Sequence, residues 1–187
     1  MANYRYAAIV NQKLAFARVE LAAASSHKGD STQARLTQHA HLDSAIAQLC
    51  AALSYFVVEV AEQYGVELAP VSRDLEVVLS EFVGSGRQSA EISELRGLLK
   101  NNNAWLANLI KARQDPLLLV QYFKPRADGV QTDDGLVPLV DVTRIAATQV
   151  DSDHTSAEPA NPLALVEDWA RNAQVLVDRL RSSLHEE

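Results

Sequence analysis

The stretch from Ser31 to Tyr64 constrains this chain most, because it can be read only as one uninterrupted helix. It holds neither Gly nor Pro. At 1.5 Å per residue it would reach roughly 50 Å. Leu42, Ile46, Leu49, Leu53, Phe56, Val60 and Tyr64 recur at three- and four-residue steps, with Ala45, Ala52 and Val57 at the margins. One face is therefore apolar over many turns and has to be buried. Asp30 is the expected N-cap, with Gln33 in the capping-box position, and Gly65 is the expected left-handed stop. A helix of this length takes most of its stability from its neighbours, so it predicts a bundle with this element as its spine.

The remaining helices follow from the same period. Tyr4 to Ala24 carries the stripe Tyr6, Val10, Leu14, Ala17, Leu21 and Ala24, widened by Ile9 and Phe16. Its many alanines permit close approach to the long helix as an antiparallel hairpin across residues 25–30. Asn11, Gln12 and Lys13 read as a solvated face, with Asn11 or Gln12 bonding across to the second helix as the alternative. Ser72 is the expected cap of a third helix with Leu75, Val78, Leu79 and Phe82 inward, closed by Gly84-Ser85-Gly86. Ser89 is the expected cap of a fourth, carrying Ile92, Leu95, Leu99, Leu106, Leu109 and Ile110 on one side. Asn102 falls inside that stripe and reads as a structural polar core residue that fixes register. Asp115-Pro116 is read as a restart into a short apolar helix over Leu117 to Phe123. Between 125 and 161 the period is lost, and Asn161-Pro162 opens the last helix.

The chain thus reads as one all-α domain over residues 1–187. It is an up-and-down bundle of four to five helices with one long central helix. The irregular excursion at 125–161 is expected to be partly mobile and acidic, 148–160 most of all.

Charge narrows the function. The net charge is −7, and residues 116–160 alone hold three basic and seven acidic groups. No cluster of Lys and Arg offers a footprint for a phosphate backbone, so no nucleic-acid partner is expected. The single cysteine, Cys50, rules out an intramolecular disulfide and fits a reducing compartment. No segment of signal-peptide character opens the chain and no eighteen apolar residues run together, so a cytoplasmic protein without membrane attachment is expected.

Chemistry leaves few marks. No Glu-x-x-His, Gly-x-Ser-x-Gly or phosphate-binding glycine loop occurs, and His39 with Asp43 is the one pair in the His39, His41, Asp43 group that a helix brings face to face. No metal, cofactor or catalytic residue is assigned, and the enzyme question leans to no. What stands out is where the long stripe turns polar. Extended backwards from Leu42, it lands on Arg35, Gln38 and His39. This is the candidate binding surface, read against a solvated flare of the bundle.

The run Asn11-Gln12-Lys13-Leu14-Ala15-Phe16-Ala17-Arg18, the Ala-rich second helix, Trp105-Leu106 and the Arg-rich last helix resemble a family of small all-helical bacterial proteins catalogued as a domain of unknown function. The resemblance implies an all-helical fold and no activity. The hairpin also looks like HEPN-type bundles, whose ribonucleases need an Arg and a His together. Arg35 and His41 have a permitted spacing, but they point about 120° apart on a regular helix. The expected function is a non-catalytic protein-interaction or regulatory module with a protein partner, a second copy of the chain included. The alternative is a small-ligand-binding or HEPN-like bundle with weak nuclease activity.

Overall fold

The computed structural model describes residues 5–27, 31–68, 74–115 and 161–184. The expected cap Asp30, the expected cap Ser72, the helix read over Leu117 to Phe123 and the excursion up to residue 160 lie outside them. The described residues form helices α1 (Arg5–Ser26), α2 (Thr32–Gln63), α3 (Leu75–Gly84), α4 (Ala90–Lys100), α5 (Trp105–Gln114) and α6 (Pro162–Leu184), with no strand among them. The all-α bundle with a long central helix is what the period predicts.

The ends of α2 follow backbone chemistry. Ser31, not Asp30, is the N-cap, its hydroxyl accepting from the Ala34 amide at 3.1 Å. At the other end Gly65 takes φ +66°, the Gly65 amide donates to Glu62 O at 3.1 Å and the Val66 amide donates to Ala61 O at 2.8 Å. This is the Schellman arrangement, open to glycine because it has no Cβ, and it satisfies carbonyls that the last turn would otherwise orphan. Val66 is buried beside it.

Along α2 burial changes character. None of residues 31–41 is fully buried, whereas from Leu49 to Ala61 every residue except Ala51 and Tyr55 is. The middle of α2 is enclosed because α1, α3, α4, α5 and α6 all pack on it, and the α1 interface is the most extensive. By length and composition α2 could also span a membrane, but 67% of its most apolar window is covered by the other helices.

α1 contributes Val10, Leu14, Ala17, Leu21 and Ala24 to the core, as its stripe predicts. Tyr6 is half-buried and stacks on Tyr55 of α2, ring centroids 6.4 Å apart. Phe16 does not join the core: it is 44% exposed. α3 starts two residues later than expected, with Asp74 as the cap accepting from the Glu76 and Val77 amides at 2.9 and 3.5 Å. Its inward residues Leu75, Val78, Leu79 and Phe82 are as predicted, and Phe82 meets Tyr64 edge-on.

The fourth helix is a correction. Two helices stand where one was expected, because Asn101 leaves the helical region and its side-chain Oδ1 accepts from the Asn103 amide at 3.1 Å. Asparagine competes for local backbone donors in this way, and three in succession favour a turn over a helix. Asn102 is therefore exposed in the α4–α5 turn and is no part of a polar core. The apolar stripe hid the break because Leu95 and Leu106 are both fully buried on either side of it.

α6 begins as read, with Asn161 Oδ1 accepting from the Leu163 amide at 3.1 Å. Val166, Trp169, Ala173, Leu176, Val177 and Leu180 face the core. Leu53 of α2 has no solvent exposure, so Leu53→Ala is expected to cost about 2–5 kcal/mol. Urea melts showing a loss well under that range would mean the α2 stripe is not enclosed as described.

Candidate functional site

Arg35, Gln38 and His39 lie half-buried in the first turns of α2, at one end of the α1–α2 hairpin. Gln38 Nε2 donates to Ala24 O at 3.3 Å, which satisfies a carbonyl in the last turns of α1. His39 Nδ1 lies 3.2 Å from Asp43 Oδ2, the i,i+4 pair that helical spacing predicts. His41 turns the other way, its Nδ1 2.8 Å from Glu20 Oε2 of α1. His27 stacks on His41 at 5.4 Å, and its own Nδ1 is 2.8 Å from Ala23 O. Arg35 lies a turn before His39 on the same helix. His39 and His41 thus engage different partners on different sides of α2. Among the described residues they form neither a splayed solvated face nor a cleft that brings Arg35 and His41 to one phosphate.

Among the described residues no group of three or more His, Cys, Asp or Glu side chains could hold a metal ion. Burial pushes the Cys50 thiol up to about 12, so it stays protonated at physiological pH and is not a thiolate nucleophile.

Sequence reasoning missed two polar networks inside the bundle. Glu59, buried in the run Phe56-Val57-Val58-Glu59-Val60-Ala61, takes a two-point contact from Arg181 of α6, Nε to Oε1 at 2.7 Å and Nη2 to Oε2 at 2.8 Å. The same guanidinium donates to Asn11 Oδ1 at 2.7 Å and to Ala7 O at 3.4 Å, so one side chain ties α6 to α2 and α1. Asn11 does bond across the bundle, but its partner is on the last helix. A single acid in an apolar run was the available signal, since an enclosed carboxylate needs a cation.

The second network centres on Glu91 of α4. Burial pushes its carboxyl up, but hydrogen bonds from Ser89, its own backbone amide, Ser183 and Tyr64 outweigh burial and hold it below the usual glutamate range. Ser89 Oγ, Ser183 Oγ and Tyr64 Oη donate at 2.6, 3.0 and 3.3 Å. A depressed carboxylate adds stability that is present above the unfolded pKa and is lost as the pH falls through the folded one.

Two concavities flank α1 on opposite sides. The first, about 350 Å³ between α1, α2, α3 and α5, has Leu75 and Ile110 among its apolar lining, with Lys13, Gln48, Asp74 and Arg113. Gln48 Oε1 itself is shielded from solvent and has no hydrogen-bond partner among the described residues, an omission that costs about 1–3 kcal/mol in folded proteins. The second is an open groove of about 480 Å³ between α1 and α6, with Leu21, Ala22, Ala170 and Val175 beside Arg18 and Arg171.

The Arg181 clamp sets a clear expectation for stability. Arg181→Met leaves Glu59 enclosed without its cation and should cost about 3–5 kcal/mol, while Glu59→Leu/Arg181→Met should recover most of the loss. Chemical denaturation of the two variants checks this, and equal losses in both would mean that the pair, not the orphaned charge, carries the effect.

No curated protein and no solved structure matches the chain. A family model does, over residues 3–187, and it is described as a family of unknown function, DUF6586. With nearly its whole length inside that match, the chain belongs to this family of unknown function.

Proposed function

We propose that this protein is a non-catalytic interaction module that presents the outer face of α1 and the adjoining α1–α6 groove to a protein partner. The observation that carries this reading is the exposed apolar side chains gathered on that side. Val19 is 65% and Val175 59% exposed. Ala22, one helical turn from Val19 on the same face, lines the groove together with Val175. Scattered apolar residues on a surface are ordinary, but exposed apolar residues on a face that borders a groove with charged rims are the make-up of an interface. Arg18, which donates to Gln174 Oε1 at 2.8 Å, and the exposed Arg171–Asp168 pair supply that rim. Their mixed charge suits a protein surface better than a phosphate backbone.

The half-buried Arg35, Gln38 and His39 make the second surface in this reading. They adjoin the exposed Leu36 at the hairpin end.

Co-purification from the native host, with Val19→Glu/Val175→Glu and Arg35→Leu/His39→Leu as paired controls, tests both surfaces. The Val19 and Val175 substitutions, at exposed positions, are expected to shift stability by only about 0.5 kcal/mol. A partner retained by the wild-type chain and lost from the Val19/Val175 variant supports the α1–α6 face, and loss from the Arg35/His39 variant alone would move the surface to the hairpin end. Equal recovery with all three chains would overturn the reading.

A further inference from the structure

Two exposed charges of opposite sign line the α1–α6 groove without an ion pair among the described residues, Arg18 of α1 and Glu167 of α6. Arg18 Nη2 donates only to a neutral acceptor, Gln174 Oε1, at 2.8 Å. The charges beside them are engaged within the chain, Arg171 by Asp168 at 3.1 Å and Asp178 by the Gln174 amide at 2.8 Å. α6 runs antiparallel to α1 here, because Gln174 meets Arg18 while Arg181 meets Asn11. Glu167 precedes Gln174 by two helical turns, which sets the two charges roughly 10 Å apart along the groove. Ala22 and Ala170 fall between them, and Val19 and Val175 stand exposed at the Arg18 end.

A groove with one positive and one negative end is complementary to itself turned round. A two-fold axis through its middle brings Arg18 of one copy to Glu167 of the other and the reverse, the reciprocal match that an isologous contact requires. We propose that the partner seated on this face is a second copy of the chain, held by reciprocal Arg18–Glu167 pairs across the α1–α6 groove. This occupant presupposes that the face is an interaction surface. The alanines at the centre let two copies approach closely, the exposed valines leave water on both, and the paired charges fix the orientation. Each copy carries a net charge of −7, but the Debye length at physiological salt is about 8 Å, so repulsion between distant charges is screened while the close pairs persist.

Sedimentation equilibrium of the full chain at about 100 µM, where small reversible interfaces are populated, tests this. The wild-type chain is expected to sediment as a dimer that dissociates on dilution. Arg18→Glu and Glu167→Arg each set like charges against one another at both contacts and should weaken the dimer about ten-fold or more. Arg18→Glu/Glu167→Arg restores opposite charges and should regain it, and so should an equimolar mixture of the two single variants. Circular dichroism melts check that each variant folds. A monomeric wild-type chain at that concentration, single reversals without effect, or exchanged charges that do not re-form the dimer would overturn the second copy. If the chain is monomeric and a different protein still co-purifies and is lost on Val19→Glu/Val175→Glu, only the occupant is wrong. A dimer that also survives Val19→Glu/Val175→Glu would remove the face together with its occupant.

Discussion

The enclosure of α2 between Leu49 and Ala61 is the constraint on which the rest of the structure depends. A helix apolar on one face needs one neighbour, whereas one buried nearly all round needs neighbours on every side. The chain provides them in the α1 hairpin, the short helices α3 to α5 and the long α6. Fully buried Phe56, Leu49, Leu53 and Val57 cannot all be sheltered by a hairpin alone. The fold is therefore organised radially about the middle of α2, and the first turns of that helix, covered on fewer sides, are left polar.

Polar groups lock this arrangement where apolar packing alone is permissive. Ridge-and-groove contacts allow helices to slide by a turn at modest cost, but the Arg181 fork on Glu59 with Asn11 and Ala7 O permits one register of α6 against α1 and α2. Glu91, held by Ser89, Ser183 and Tyr64, fixes α4 against the same C-terminal end of α6 and the close of α2. Arg179 paired with Glu94 adds a more exposed tie between α6 and α4. Each uses a charge that would be costly to leave unmatched, which favours one arrangement strongly over its neighbours.

Much of the architecture was legible in the sequence. The three-and-four spacing of α1, α2 and α6, the glycine stop at Gly65 and the Asn161-Pro162 start are local signals, and each is realised close to where it was read. The α4–α5 break was misread because the leucine spacing continues through it, and only the competition of Asn101 for the Asn103 amide decides for a turn. Phe16 looked like stripe and is half in solvent, since periodicity gives a face but not what covers it. The polar start of α2 was legible in position but not in its bonding: Arg35, Gln38 and His39 lie half-buried there, with Gln38 meeting Ala24 O and His39 meeting Asp43. The Arg181 to Glu59 clamp and the Gln48 cavity join residues far apart in the chain, and no spacing rule reaches that distance.

Native-state hydrogen exchange along α2 tests the radial organisation most directly. Amides from Leu49 to Ala61 should exchange only through global unfolding, with protection that falls in step with overall stability as denaturant is added. Those from Leu36 to His41 should exchange faster through local opening. Protection that is uniform along α2, or weaker in its middle than at its first turns, would contradict the account.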